Sequence, residues 1–334
     1  MSAPAQHEIA ATDAPLVSVV IATHNRPSAL RQAISSVRGQ TFEDWEIVVV
    51  GDACRPDTLA AVLEFDDRRI AYIDLPINFG EQSGPNNLGM ARSRGRYIAF
   101  LNHDDLWFPD HLAALTGWLE ASGADVAFSR GAVVLPRQSA EQDFEFVIHG
   151  RGKRGRYDPA MTTAYASTWL LRRSAVDKVG WWRPALECFA ESSQDWLWRA
   201  WRSGLRMVAM PHLTVLMPQS GMRDGSYIDN RAEEQITLLE AIRDDPDALR
   251  RRLLERATEP KGFGPLRYWK RRLYAACGID PRAKSFRRKY RRGSLIQGLR
   301  LKRGLRPMPQ RDPDVDGLRE LYRSKVQRPE TTGS

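Results

Sequence analysis

"PLVSVVIATHNRPSALRQAISSVRGQ", residues 15–40, decides the fold. Its first part, "PLVSVVIAT", is a continuous apolar run rich in β-branched residues. Such a run suits a strand buried on both faces of a parallel sheet. The period then changes. Pro27 stands at a helix start, Ala29, Leu30, Ala33, Ile34 and Val37 share one helical face, and Gly39 marks the stop.

The same alternation continues outward from this unit. "WEIVVVGDA" reads as a second buried strand ending at Asp52, "DTLAAVLEF" as a helix and "RIAYIDLP" as a third strand. A Gly/Asn-rich loop, "NFGEQSGPNNLGMARSRG", leads into a helix, and "RYIAFLNHDD" is a fourth strand. "DHLAALTGWLEASG" is helical and "DVAFSRGAVVL" is a further strand. Solid apolar strands alternating with helices predict an α/β domain, its mainly parallel central sheet flanked by helices. In such sheets ligands bind beyond the carboxyl ends of the strands. "ATHNR", "GDA", "NFGEQ" and "NHDD" all fall there.

The chain has 334 residues, 42% hydrophobic and 27% charged, which fits one large soluble domain with appendages. No apolar stretch is long enough to span a bilayer. The expected organisation is a disordered leader over 1–14, a catalytic-type domain over 15–225, and a helical, basic extension over 226–334. The opening segment lacks the basic head and apolar run of a secretory signal. Three widely spaced cysteines, Cys54, Cys188 and Cys277, predict reduced thiols in a cytosolic setting rather than a disulfide framework or zinc site. The formal charge of +9 is unevenly spread: residues 261–306 hold 16 Lys/Arg against one Asp. A block of that kind points to an anionic partner, whether membrane surface, lipid phosphate or nucleic acid.

Several chemistries are excluded by motif. There is no Gly-x-Gly-x-x-Gly after the first strand, no Gly-Lys-Ser/Thr loop, no Gly-x-Ser-x-Gly elbow and no zinc-type Cys or His spacing. What remains is a carboxylate cluster, Asp104–Asp105, just past a buried strand. It is either a solvated turn or a site for a hard cation. Mg²⁺ or Mn²⁺ is typically held by one or two carboxylates plus substrate phosphates, so a diphosphate-bearing substrate is the natural co-ligand. The tryptophans at 169, 181, 182, 196, 198 and 201 read mainly as core, with one or two available as a stacking wall.

Three stretches, "SVVIATHNRPSALRQAISSVRGQTFEDWEIVVVGDA", "NFGEQSGPNNLGMARSRGRYIAFLNHDDLWFPDHL" and "SQDWLWRAWRSG", together resemble the family 2 glycosyltransferases of the GT-A type. The resemblance covers roughly residues 15–220. It implies a metal-dependent transferase that moves a sugar from a nucleotide-diphosphate donor to an acceptor hydroxyl with inversion, commonly in bacterial surface glycan or glycolipid assembly. On that resemblance Asp104 ligates Mn²⁺ or Mg²⁺, and His24 lies against the nucleobase. Asp52 then bonds the nucleobase edge or the ribose, with Asp105 and His103 close by. Thr23, Asn25 and Arg26 belong to the first motif, and Asn86 and Asn87 match the family's Arg-Asn pair. Asp195, in Gln194-Asp195, matches the family's base, with Glu191 as its substitute. The sequence departs from the family at Gly51, Asn86 and Asn102. Those departures favour the alternative, a catalytically inactive GT-A domain that binds a nucleotide or a partner. The resemblance further implies a cytoplasmic enzyme, peripheral at the inner face of the membrane, with a glycan or lipid-linked acceptor. The basic block at 261–306 would touch an anionic membrane surface or simply be a solvated tail. A nucleic-acid role has no base-reading module behind it.

Overall fold

The structure, a computed structural model, describes residues 6–7, 14–135, 144–256 and 264–308. The expected leader, apart from 6–7 and 14, lies outside the described residues, as do 136–143, 261–263 and the chain beyond 308. In chain order the N-terminal half is β1 (Gln6–His7), β2 (Val17–Thr23), α1 (Pro27–Arg38), β3 (Trp45–Gly51), α2 (Pro56–Leu63) and β4 (Ile70–Asp74). There follow α3 (Ser83–Arg92), β5 (Tyr97–Phe100), β6 (Leu106–Trp107) and α4 (His111–Ser122). The remainder is β7 (Val126–Val134), β8 (Phe146–His149), β9 (Trp169–Arg172), α5 (Arg173–Val179), α6 (Ser192–Arg202) and β10 (Met207–Pro218). Six helices close the described chain: α7 (Ser226–Asp229), α8 (Glu233–Asp244), α9 (Pro246–Arg256), α10 (Pro265–Ala276), α11 (Pro281–Arg287) and α12 (Ser294–Lys302).

The strands form one mixed sheet in the order β1-β4-β3-β2-β5-β9-β7-β10-β6, with β8 paired to β7. The first four strands read from the sequence make its parallel half, in which β4, β3, β2 and β5 run together, and the fifth is β7. Antiparallel β9 then joins β5 to β7, and β10 returns parallel to β7. The sheet is therefore parallel where the nucleotide-type motifs sit and mixed beyond them.

Period-2 alternation in β2 explains why its run is apolar throughout. Val17, Val19 and Ile21 enter the core on the α1 and α4 side, with Leu30, Ile34, Val37, Leu112 and Leu115. Val20 enters the opposite core with Phe100, Trp169, Trp182 and Trp196. At roughly 2 kcal/mol for each fully buried aliphatic side chain, neither face tolerates a polar residue unless it is paired. The α1 face expected from the spacing is the buried one. The segment after 225 shares this packing: Leu238, Leu239, Ile242, Leu249 and Leu253 of α8 and α9 close a third cluster with Leu106, Phe108 and Val134.

Candidate active site

The carboxyl ends of β2, β3 and β5 open into a cleft of about 270 Å³. Thr23 ends β2 and His24 follows it, Asp52 follows β3, and Asn102, His103 and Asp104 follow β5; all line it. Gly80, Glu81 and Gln82 come from the loop after β4, and Glu191 and Ser192 from the start of α6. The sequence reading missed the remaining wall, made by Tyr227 and by Leu295, Leu299, Arg300 and Arg303 of the C-terminal segment.

Asp52 is buried beneath the loop after β4. Its two carboxylate oxygens accept the backbone N–H groups of Phe79 (2.5 Å) and Gly80 (2.9 Å). Burial pushes its carboxyl up to about 7, against these two donors, which favour the ionised form. His24 Nδ1 lies 2.8 Å from the Asp52 carbonyl, and burial lowers its pKa. Tyr227 stacks on His24 at 6.1 Å with an interplanar angle of 28°, and meets His103 edge-on at 6.1 Å. Arg26 and Arg303 sit over the Tyr227 ring at 5.5 and 5.7 Å. A flat aromatic wall beside Asp52 is well suited to a nucleobase.

Gly51 stands where the family carries a carboxylate, and the structure explains it. Gly51 pairs with Asp74 across β3 and β4. A Cβ at 51 would collide with the Asp74 carboxylate and the Tyr72 hydroxyl. Asp74 instead accepts the Cys54 N–H with both oxygens at 3.1 Å. A carboxylate from the neighbouring strand thus fills the place, and only glycine leaves room for it.

Asp104 accepts Arg26 Nη1 at 3.2 Å and Ser220 Oγ at 3.3 Å. Arg26 is fully buried and also donates to Ser220 Oγ and the Arg231 carbonyl. Burial alone would raise the Asp104 carboxyl; the electrostatic pull of His103, Arg26 and Arg303 outweighs it and holds the group below its usual range. Burial takes His103 down to about 4, so it is neutral at neutral pH. Among the described residues no three His, Cys, Asp or Glu side chains converge as a metal-ligand set. One cleft-lining carboxylate nevertheless fits Mg²⁺ or Mn²⁺ that completes its shell with substrate phosphates and water.

Several expected contacts are directed elsewhere. Asp105 is turned beneath the cleft, where it accepts Ser167 Oγ (2.5 Å) and Asn102 Nδ2 (2.8 Å). Burial and the adjacent Asp104 raise its carboxyl well above the usual range. It braces the loop rather than facing a ligand. Asn25 Oδ1 accepts the Arg55 N–H. Asn87 is bonded to both the N–H and the carbonyl of Trp182. Asn86, one residue earlier on the buried face of α3, is likewise absent from the lining. No tryptophan lines the cleft.

Asp195 lies in the first turn of α6, which begins at Ser192 with Glu191 in the cap position and has no side-chain cap. Asp195 is bound by Arg199 at 2.8 Å and faces Arg183 at 3.6 Å. Arg199 is fixed in turn on the carbonyls of Val179 and Trp181. Asp195 is not part of the lining, whereas Glu191 is, and Glu191 Oε2 is buried without a hydrogen-bond partner.

The C-terminal wall is basic. Arg300 donates to the Gly80 carbonyl through Nη1 and to the Arg306 carbonyl through Nε. Arg303 donates to the Gly221 carbonyl at 2.9 Å. Arg303 thus acts on Asp104 and His103, and Arg300 on Asp52.

The mixed α/β sheet thus opens into a strand-end cleft that carries an aromatic ring, carboxylates and guanidinium groups. Residues 18–180, just under half of the chain, match the family model "Glycosyl transferase family 2". An Escherichia coli beta-1,3-glucosyltransferase, WfgD, named for its action on alpha-D-GlcNAc-diphosphoundecaprenol, is 36% identical over 97 residues. That match takes in 29% of this chain and 38% of the relative. The succinoglycan biosynthesis protein ExoO of Rhizobium meliloti is 36% identical over 36% of this chain and 34% of its own length. The chain therefore spans little more than a third of these relatives. In structure, S. aureus TarS residues 1–349 share the fold with a TM-score of 0.51 at 15% identity, over 93% of this chain and 91% of that one.

Proposed function

We propose that the protein transfers a sugar from a nucleoside-diphosphate sugar to an acceptor hydroxyl, with inversion. The observation that carries this reading is the presence of both charges in one cleft. Guanidinium groups Arg300 and Arg303 and the carboxylate of Glu191, whose Oε2 is buried without a hydrogen-bond partner, line the same cavity. The nucleobase would rest against His24 and Tyr227, with Asp52 fixing the loop beside it. Glu191 would accept the proton of the acceptor hydroxyl as its oxygen attacks the anomeric carbon. The bond from that carbon to the diphosphate oxygen breaks, and its electron pair leaves on the diphosphate. Arg300 and Arg303 would balance the charge that develops there. Mn²⁺ or Mg²⁺, held by Asp104 and the diphosphate oxygens, would supply further electrostatic stabilisation of the leaving group.

Relatives named for undecaprenol-linked and succinoglycan chemistry support bacterial surface glycan or glycolipid assembly, with a glycan or lipid-linked acceptor. We place the protein in the cytoplasm at the inner face of the membrane, with residues 261–306 toward anionic lipid. Among the described residues no helix is long and apolar enough to cross a bilayer.

The test is a panel of nucleoside-diphosphate sugars with Mn²⁺ or Mg²⁺, following release of nucleoside diphosphate, repeated with EDTA and with Asp104→Ala. Release from one donor, lost in both controls, is expected. Nucleotide binding with no turnover on any donor or lipid-linked acceptor would instead identify an inactive binding domain.

A further inference from the structure

Helix α10 turns an apolar stripe outward. Leu266, Trp269 and Leu273 are 85, 65 and 63% exposed. On a helix of 100° per residue they fall within about 60° of one another. They lie opposite the buried Arg271 and Ala275. Arg267 and Arg272 flank the stripe on either side, and Lys270 lies at its edge. All three are exposed.

The inward face is fastened. Arg271 Nε donates to the Ala160 carbonyl at 2.6 Å, Tyr268 donates to Asp158 Oδ2 at 2.8 Å, and Arg272 pairs with Asp158 at 3.6 Å. The helix therefore has a fixed outward orientation. A solvated charged tail has no physical reason to hold three large apolar side chains in water between basic residues.

We propose that this face of α10 docks on an anionic lipid bilayer, with Leu266, Trp269 and Leu273 entering the headgroup–acyl boundary and the exposed Arg267 and Lys270 meeting lipid phosphates. Charge decides the occupant. The segment 261–306 carries 16 basic residues against one acidic one, which opposes a second copy of the same face and matches an anionic surface. The exposed Arg287, Arg288, Lys289, Arg291 and Arg292 extend the basic field beyond α11.

The position of the helix connects docking to the site, and this link rests on the transferase reading above. Asp280, just after α10, caps α11 and lies close enough to Asp195 for the two carboxylates to repel. The same segment grips the loop that ends at Glu191. Gly293 donates to the Cys188 carbonyl, and Arg287 and Arg292 lie over Phe189 at 5.6 and 5.2 Å. Docking through α10 would thus hold the Glu191 side of the cleft close to the lipid surface, where a lipid-linked acceptor presents its hydroxyl.

The experiment is co-sedimentation of the full chain with vesicles of phosphatidylcholine alone or with about a third phosphatidylglycerol, at about 0.1 M salt. Binding to the anionic vesicles is expected, lowered about tenfold or more by Leu266→Ser/Trp269→Ser/Leu273→Ser with no change in thermal midpoint. Arg267→Gln/Lys270→Gln should lower the preference for anionic lipid. Equal binding of the triple serine variant and the wild type would overturn the proposal, as would failure of the wild type to bind. A wild-type dimer that the serine variant abolishes would assign the face to self-association and overturn it equally. Vesicle binding lost in the serine variant, with no donor turned over by any form, would keep the docking face and remove the transferase reading.

Discussion

Exchanging the two carboxylates at the start of α6 for amides separates a proton acceptor from a structural acid. Glu191→Gln keeps the shape of a side chain whose Oε2 has no protein partner, so no ion pair is lost. What is lost is the ability to take the acceptor's proton, worth about 10²–10⁴-fold in rate. Asp195→Asn does the reverse. It removes the 2.8 Å contact to Arg199 and the longer one to Arg183. Charge-assisted bonds are worth about 1.5–3 kcal/mol, and partial exposure lowers this to about 1–2. Arg199 keeps its two carbonyl acceptors, so its charge is not stranded. In a domain of this size that amounts to a fall of several degrees in Tm, about 2–4 °C per kcal/mol. The assay is release of nucleoside diphosphate from the active donor, with nucleotide affinity and Tm measured on the same samples. Glu191→Gln should lower kcat about a hundredfold or more with Tm and nucleotide Kd unchanged; Asp195→Asn should lower Tm and leave kcat within a few fold. Loss of turnover in Asp195→Asn with Glu191→Gln still active would refute the assignment.

Three further outcomes follow from the cleft. Arg300→Gln together with Arg303→Gln should weaken nucleoside-diphosphate binding in EDTA by about a hundredfold, near 1.4 kcal/mol per guanidinium, with a smaller effect on nucleoside monophosphate in calorimetry. Gly51→Ala should cost about 1–3 kcal/mol in denaturant unfolding, because the added methyl meets Tyr72 and Asp74. Asp52 is raised in the folded state to about 7 from 3.8, so between these values the native protein binds a proton that the unfolded chain has released. Stability should therefore fall as pH rises through that window, by up to about 4 kcal/mol, and Asp52→Asn should flatten that part of the Tm–pH curve.

The parallel half of the fold was legible because its strands are buried on both faces, which forces unbroken apolar runs. β2 and β3 show this, and α1 carries a face of matching period. In the mixed half, β7 was legible as a strand but its neighbours were not. β9 is four residues, "WLLR", and its insertion between β5 and β7 is set by long-range pairing that no local period records. In the same way, the strand-end motifs located the cleft at Thr23, His24, Asp52, His103 and Asp104, since strand ends converge by topology. Which way a side chain turns at those ends is decided by neighbours distant in sequence. Asn87 is drawn to Trp182, Asp105 to Ser167, and Asp195 to Arg183 as well as to its helical neighbour Arg199.

The C-terminal segment carries the strongest instance of this limit. Sixteen basic residues in one block read as a single property, an anionic partner, and the folded chain divides them by direction. Arg271 and Arg300 point inward onto backbone carbonyls, Arg272 pairs with Asp158, Arg303 reaches the cleft, and Arg267 and Lys270 stay outside around an apolar stripe. Inward guanidinium groups suit a diphosphate, and outward ones suit lipid phosphates. One stretch of sequence can serve both because helices α10 and α12 turn different faces to the body. Salt should distinguish them. Attraction to a bilayer surface is screened within a Debye length of about 10 Å at 0.1 M salt, while a partly buried guanidinium on a bound diphosphate is screened far less. Raising salt from about 0.05 to 0.5 M should therefore release the protein from anionic vesicles while nucleotide affinity changes by only a few fold. Equal sensitivity of the two would mean that the C-terminal wall is not formed around the nucleotide as described.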